Sequence, residues 1–546
     1  MADRSRRDDC LDLLWLVALG LLSSAAIVAG ASYLSGTFDE RFYLESGLIR
    51  WHTGSTYELM KAGTMPLPID VQTFALRIVE WWRGQPWRID TEYGEMLPIA
   101  RAGTLIFWWL ALFYAMRIGR DLGGPWAGRL AIAGLAVEPN LLAHAGLATT
   151  DIAIAATTLM FAFHYRAGRL AAWRPRVLVP AVCCAAAIVS KASGLAFVPL
   201  CMIAIETERL WAAKGRLAMR DFAIESATIG AIAMGLIVLY CGTDFQPHSG
   251  LIARAHDMAD GPVKPVATWL AENFRVFNNA GVGLFMQFLH NLLGHGTYLL
   301  GFVTNDFYWY YFPVALSIKL PLALLTAPLL LAVFAPRRLA NFACLAALSM
   351  LAFSLSYRVQ NGVRMQLPLI ALAIVGLSAA GTNAMRDATS AARRTGVVVA
   401  LLAILATGVS TAQTWPYTLS YVNEAWGPPA ERLLSDSNAD WGQGLLELED
   451  WRRAHGAGEL DIWYFGTDPR VGQPPFHHLP LHALQPNDAA ALAGAMHGHY
   501  LAVGTTVLYG PYVQQPAWLL ALLRVTPPFG RTSSFLIFDR QSLGAS

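Results

Sequence analysis

Charge is scarce in this chain. Asp, Glu, Lys and Arg make up 14% of its 546 residues, whereas soluble domains carry about a quarter. That scarcity excludes an ordinary water-soluble protein of this length. The formal net charge of +2 gives no reason to expect a nucleic acid as partner. Cysteine is also sparse. Cys183, Cys184, Cys201, Cys241 and Cys344 lie in apolar runs, Cys10 lies in the N-terminal tail, and no CxxC pair occurs. A disulfide framework and a cysteine zinc site are therefore not expected. No short internal repeat is visible. What the chain has instead is apolar residue, 55% of the total, with mean hydropathy +0.41. This is the composition of a polytopic membrane protein.

Apolar runs long enough to span fall at about 11–34, 101–118, 128–145, 149–166, 222–241, 312–334, 339–357, 363–380 and 395–415. Only helices span here, because each backbone polar group needs a partner within its own segment. Basic loops set the parity. Arg117, Arg120 and Arg129 flank one loop, and Arg166, Arg169, Arg174 and Arg176 fill the next. Arg209, Lys214, Arg216 and Arg220 follow, then Arg337 and Arg338, then Arg386, Arg393 and Arg394. Positive loops stay in the cytoplasm. Residues 177–205 must then cross twice, with an outer break near Ser190 and Lys191. The total is about eleven crossings, with the N-terminus inside and the C-terminus outside. The first run ends in "AGA" at 29–31, a possible signal-peptidase site, but it is longer than a typical signal region.

Residues 35–100, 242–311 and 416–546 then face outward. The last segment differs in kind. "LLSDSNADWGQGLLELEDWRRAHG" reads as loop then helix, and "DIWYFGT", "HYLAVGTTVLY" and "SSFLIFDR" read as strands. The expected fold class is an all-α membrane domain over 1–415, including the outer loops 35–100 and 242–311, with a small extracytoplasmic α/β domain over 416–546.

Charged residues at the outer helix ends carry the chemistry. "TFDE" fits a capping box, in which Glu40 reaches back to Thr37 at a value of about 1 kcal/mol. That does not occupy Asp39, at the head of an amphipathic helix over 38–51. Asp151 opens another membrane helix. For both, interaction with a helix N-terminus is the plain structural account. Two such carboxylates at separate membrane exits can also share one cavity, if helix packing brings them together. Lys191, Lys319 and Arg364 fall in the outer leaflet. Snorkelling explains each singly, but intramembrane charge is a functional signal, and three cations fit a lipid phosphate.

The stretches "FDE", "LLAHAGLATTD", "SKASGLAFVP", "YFPVALSIKLPL" and "NGVRMQLP" occur in the order seen in polytopic GT-C glycosyltransferases. The chain resembles their protein O-mannosyltransferase and aminoarabinose-transferase-like branch over nearly its whole length. "YVNEAWG" followed by "DSNADWGQ" resembles the outer C-terminal domain of bacterial members. The resemblance implies inverting transfer of a sugar from a polyprenyl-phosphate carrier to an acceptor on the outer face of a bacterial inner membrane. It implies Asp39 as the catalytic acidic residue of the first outer loop, with Glu40 beside it and Asp151 as the acidic position after the third helix. Lys191, Lys319 and Arg364 match basic positions, and with His144 of the "LLAHAG" stretch they are the candidates for carrier or donor binding. "GTMPLPIDV" departs from the family's proline-rich first-loop stretch, which leaves the donor sugar open.

In the outer segment, Asp436 is expected to cap the following helix, or else Asp436, Asp440, Trp441 and Gln443 contact the acceptor. Glu138 is an acid inside a membrane run, structural or cavity-lining. His477, His478 and His482 are read as a loop rather than a metal site. A phosphate is a fair leaving group, so no cofactor is expected, and a divalent metal is not indicated. The acceptor stays open among protein, glycolipid and polysaccharide. Two other classes are a transporter or flippase, with internal repeats and broken helices, and a non-catalytic envelope assembly protein.

Overall fold

A computed structural model describes residues 2–213, 219–276, 278–427, 429–479, 481, 489–511 and 516–544. Lys214, Arg216 and His482 lie outside the described residues. The chain is mostly helical. α1 (Ala2–Ala31) leads through a short loop to α2 (Phe38–Thr53), α3 (Tyr57–Lys61) and α4 (Pro66–Arg83). α5 (Ile89–Gly123), α6 (Pro125–Val137), α7 (Pro139–Ala145), α8 (Asp151–Gly168), α9 (Val179–Ser190), α10 (Gly194–Ala213) and α11 (Met219–Cys241) follow. The long outer loop holds α12 (Ser249–His256), α13 (Val263–Asn273), α14 (Asn278–Leu293) and a hairpin of β1 (Thr297–Leu299) and β2 (Phe302–Thr304). α15 (Tyr311–Lys319), α16 (Leu322–Phe334), α17 (Phe342–Ser354), α18 (Leu367–Asp387) and α19 (Ser390–Thr414) complete the bundle.

Among the described residues, 5 helices are long and apolar enough to cross a membrane, or 6 if the pair α15–α16 counts as one span. The protein is a multi-pass membrane protein. The break expected at Ser190–Lys191 is present: α9 stops at Ser190 and Lys191 is extended, with φ −163°. The chain folds back tightly there. A Cβ on Gly194 would stand 2.9 Å from the carbonyl oxygen of Ala187, so only glycine lets α10 start this close to α9.

Two expected single runs are broken. The run 128–145 divides at Glu138, extended at φ −77° and ψ 119°, because Pro139 cannot continue the ladder and instead starts α7. The run 312–334 bends by 110° between α15 and α16. Pro321 sits at that bend, so the break has the same chemical cause.

The C-terminal segment holds a five-stranded sheet. Its strands are β3 (Leu460–Trp463), β4 (Phe476–His478), β5 (Tyr500–Gly504), β6 (Gly530–Arg531) and β7 (Phe535–Asp539), in the order β4-β3-β5-β7-β6. β4, β3 and β5 are parallel, and β7 and β6 are antiparallel. Two sequence expectations need correction. "TTVLY" is a helix, Thr505–Tyr509, not a strand. "FHH" is the edge strand β4, not a loop. Both faces of the sheet are covered, one by Leu492, Leu519 and Leu543 and the other by Leu445 and Leu448.

The "DSNADWGQ" segment ties the region before this sheet to the helical bundle. The Trp441 carbonyl accepts from Phe38 N at 2.8 Å, and the Gln443 carbonyl accepts from Ser35 N at 2.9 Å. Gly442, at φ +93°, makes the turn between them. Asn438 accepts from Val363 N at 3.0 Å and donates to the Tyr311 hydroxyl at 3.0 Å. The first loop, α15 and the start of α18 are thereby held to one short segment.

Candidate active site

The larger of the two main cavities, about 310 Å³, lies where these segments meet. Its walls include Asp39 and Tyr43 of α2, Lys191 at the α9–α10 break, Arg364, Asp436 and Trp441. Asp39 faces this space with its side chain 23% exposed. Its Oδ2 accepts from Arg364 Nη1 at 3.0 Å and from the Tyr43 hydroxyl at 3.4 Å. Its Oδ1 takes no hydrogen bond from the described residues.

Arg364 joins the two expected carboxylates. Its Nη1 is 3.0 Å from Asp39 and 3.8 Å from Asp151. Its guanidinium carbon stands 4.0 Å from the centre of the Trp441 ring, a cation–π contact that fixes the plane of the group. Nε is buried with no hydrogen-bond partner. Nε and Nη2 are therefore uncommitted among the described residues, so Arg364 retains donors beyond those given to the carboxylates.

Asp151 is fully buried behind the wall. It accepts from Lys191 Nζ at 2.5 Å and from Thr149 Oγ1 at 3.1 Å. Lys191 reaches the cavity surface and retains donors beyond the one given to Asp151. His144 Nδ1 is 3.9 Å from Asp151, and its ring is tilted against Trp441 at 6.1 Å. His144 is buried and does not line the cavity.

Four expected residues sit elsewhere or do something else. Glu40 is fully buried. Its Oε2 accepts from Thr37 N at 2.8 Å and Arg101 Nη2 at 2.7 Å, and its Oε1 accepts from Arg101 Nε at 2.8 Å and Ala148 N at 2.7 Å. No lone pair is left for chemistry, so Glu40 belongs to the frame. Lys319 donates to the carbonyls of Leu419, 2.8 Å, and Asn438, 2.7 Å, and does not line the cavity. It holds the C-terminal segment at the α15–α16 break. Asp440 and Gln443 are also turned inward. Asp440 accepts from Thr506 N and Gly442 N, each at 3.0 Å. Gln443 accepts from Trp441 N at 2.7 Å and donates to the Ala439 carbonyl at 2.9 Å. Burial pushes the Asp440 carboxyl up to about 6, against the lowering by these amide donors.

Asp436 is no helix cap. It opens the short turn Asp436–Asn438 at φ +56°, and its Oδ1 accepts from Ser437 N at 2.5 Å. Glu138 caps α7 through Leu141 N at 2.6 Å and holds Asn140 Nδ2 at 2.6 Å. It also borders the smaller, apolar cleft of about 160 Å³ between α6, α16, α18 and α19. Among the described residues, no three His, Cys, Asp or Glu side chains are arranged to hold a metal ion.

Sequence reasoning missed several side chains. Arg101 opens an apolar run as Arg364 does, and the same rule for intramembrane charge would have found it. Gln287, His290, His295 and Asn361 also line the cavity. The first three lie in the outer loop, where no hydropathy signal marks them.

Comparison with known proteins places the fold. No family model and no curated protein matches the sequence. Solved structures do match. The archaeal oligosaccharyltransferase AglB of Archaeoglobus fulgidus, in complex with an inhibitory peptide and a dolichol-phosphate, aligns at a TM-score of 0.50 and 13% identity. That alignment covers 97% of this chain and 74% of the other. The apo form of the Archaeoglobus fulgidus oligosaccharyltransferase gives 0.51 and 13%, over 91% and 70%. The chain shares the fold of these oligosaccharyltransferase structures. ArnT of Cupriavidus metallidurans, bound to undecaprenyl phosphate, also aligns, at 0.45 and 12% over 96% of this chain and 98% of that one.

Proposed function

We propose that this protein transfers a sugar, with inversion, from a polyprenyl-phosphate carrier to an acceptor hydroxyl at the outer face of a bacterial inner membrane. The observation that carries this reading is the cluster on one cavity wall: Asp39 with one oxygen unbonded among the described residues, and Arg364 and Lys191 with donors to spare. The shared fold supports it, and the matching oligosaccharyltransferase was solved with a dolichol-phosphate.

The chemistry follows from those groups. Asp39 Oδ1 accepts the proton of the acceptor hydroxyl as its oxygen bonds to the anomeric carbon. The bond from that carbon to the phosphate oxygen breaks on the opposite side, and the electron pair leaves with the phosphate. Lys191 and Arg364, which both line the cavity, stabilise that charge in a partly dry site. Arg364 also anchors Oδ2 of Asp39, so one guanidinium sets the distance between base and leaving group. Asp151, out of reach of substrate, positions Lys191. The acceptor is a hydroxyl of a protein, a glycolipid or a polysaccharide.

In this reading residues 1–415 form the transmembrane domain, with about eleven crossings, and residues 416–546 form an extracytoplasmic domain. A thiol probe added from outside should modify a cysteine placed at Ala192 and not one placed at Arg174. The reverse pattern would invert the orientation. The broken helices at Glu138 and Lys319 are features of transporters, but here their polar groups are consumed by caps and carbonyls.

The direct test is the purified protein with sugar-loaded undecaprenyl phosphate and an envelope extract as acceptor. Transfer with inverted anomeric configuration is expected. Absence of both transfer and carrier binding would reject the proposal.

A further inference from the structure

The cavity has a second polar wall that the reaction above does not use. α14 packs on α3, where Gly63 has φ +75° and a Cβ would meet the Gln287 amide nitrogen at 2.8 Å. That close approach brings Gln287 and His290, one helical turn apart, into the cavity wall. His295 follows the end of α14. The two imidazoles meet edge to face, with centroids 4.3 Å apart. Asn361 joins this wall from the loop before Arg364.

Gln287, His290 and Asn361 are polar and little used among the described residues. The Gln287 amide and the ring nitrogens of His290 make no hydrogen bond to the described residues. Oδ1 of Asn361 is buried with no partner. A buried polar atom without a partner is costly and rare, and Asn361 Oδ1 shares this cavity with the half-buried Gln287 and His290. Both imidazoles are held neutral near pH 7. Burial lowers His290 first, then Arg364 lowers it while Asp39 opposes. Burial, His290 and Arg364 push His295 down to about 4. A neutral imidazole offers one donor and one acceptor, a side-chain amide offers both kinds as well, and neither carries the net charge that draws an anion to Lys191 and Arg364.

We propose that Gln287, His290, His295 and Asn361 form the subsite that reads the hydroxyl groups of the donor sugar. Neutral groups that both donate and accept match a polyol, whereas the phosphate is drawn to Lys191 and Arg364. A volume of about 310 Å³ is at the small end of ligand pockets, in keeping with one sugar ring and its phosphate. The inference rests on the proposed function and deepens it, because it assigns sugar selectivity to the outer loop.

The test compares binding of bare undecaprenyl phosphate with that of undecaprenyl phosphate carrying glucose, mannose, galactose or N-acetylglucosamine, using the full-length protein in lipid nanodiscs. The unaltered protein should bind one loaded carrier at least about tenfold more tightly than the bare one, as two net hydrogen bonds allow. His290→Phe and Gln287→Leu, made separately, should each cut that ratio by about threefold and leave the affinity for bare carrier unchanged. Three results would overturn the subsite: no preference for any loaded carrier in the unaltered protein, an undiminished preference in both variants, or equal loss for bare and loaded carrier. Failure of the unaltered protein to bind even the bare carrier would instead count against the proposed function.

Discussion

Two acid–base clusters lie a few residues apart at the head of α2, and they differ in how completely their groups are matched. In the first, Glu40 and Arg101 are both nearly inaccessible. Arg101 Nη1 also donates to the carbonyls of Ala31 and Leu34, each at 2.9 Å, and Nη2 to that of Ser35 at 2.7 Å. Every charged atom has a partner, and those partners come from the end of α1, the first loop, α5 and the turn before α8. In the second cluster, among the described residues, Asp39 Oδ1 takes no hydrogen bond and Arg364 Nε has no partner. His144 Nδ1 is also buried without a hydrogen bond. A saturated cluster has nothing to offer a substrate, so it works as a frame. An unsaturated one beside a cavity retains capacity for new bonds. Adjacent carboxylates, Asp39 and Glu40, thus differ in state, one with an oxygen unbonded among the described residues and the other saturated.

Breaking the frame should have the largest effect. Arg101→Gln leaves Glu40 buried and unpaired, at a cost of about 3–5 kcal/mol. Folded protein should be lost from the membrane fraction, as read by yield and thermal melting in detergent. Glu40→Gln should behave similarly, well beyond the roughly 1 kcal/mol of an ordinary cap. A stable, inactive Glu40→Gln protein would dissolve the distinction between the clusters and return Glu40 to the chemistry.

Asp39→Asn sharpens the contrast from the other side. It keeps the size of the side chain and removes the proton acceptor. Transfer should fall by on the order of a hundredfold or more, with melting temperature and carrier affinity little changed. A near-normal rate would remove Asp39 from the mechanism.

Lys191→Gln should be intermediate, because Lys191 serves both purposes. It holds the buried Asp151 and faces the cavity. The expected result is a drop of about tenfold in affinity for undecaprenyl phosphate, the value of one charge-assisted hydrogen bond, together with a lower melting temperature. Titration with the bare carrier measures the first. Unchanged affinity would leave Lys191 in the frame alone.

The last contrast concerns pH. Asp440, pushed up to about 6 by burial, binds a proton in the folded state that the unfolded chain releases near the ordinary carboxyl value of about 4. Its contribution is therefore most favourable below about pH 4 and is lost as pH rises toward about 6. Stability from this group should fall by up to about 1.4 kcal/mol per pH unit across that window. Asp440→Asn should flatten the dependence of melting temperature on pH between 4 and 6, and an unaltered slope would show that Asp440 does not titrate there.

Much of the architecture was legible because membrane burial leaves a one-dimensional trace. Apolar run length marks the helices, and the basic loops required the chain to reverse at Ser190–Lys191, where the structure breaks. Charges at the run ends pointed to Asp39, Asp151, Lys191 and Arg364 for the same reason, since a charge in an apolar segment needs a cause. The breaks at Pro139 and Pro321 were also readable in principle, but run length alone hides them. Period-two patterning found β3, β5 and β7, then carried the β5 reading too far, into Thr505–Tyr509, because a short apolar stretch fits a strand and a helix equally well.

Tertiary structure alone decided which charges are spent. The sequence by itself determined that this is a helical membrane protein with acids and bases gathered at its helix ends. It held no record of distance, and a carboxylate becomes frame or catalyst according to how many donors stand within about 3 Å of it. Glu40 meets Arg101 from 61 residues away, Lys319 meets the Asn438 carbonyl from 119 residues away, and Arg364 meets Asp39 from 325 residues away. Those encounters come from helix packing and from the turn at Gly442, which no local pattern of residues encodes.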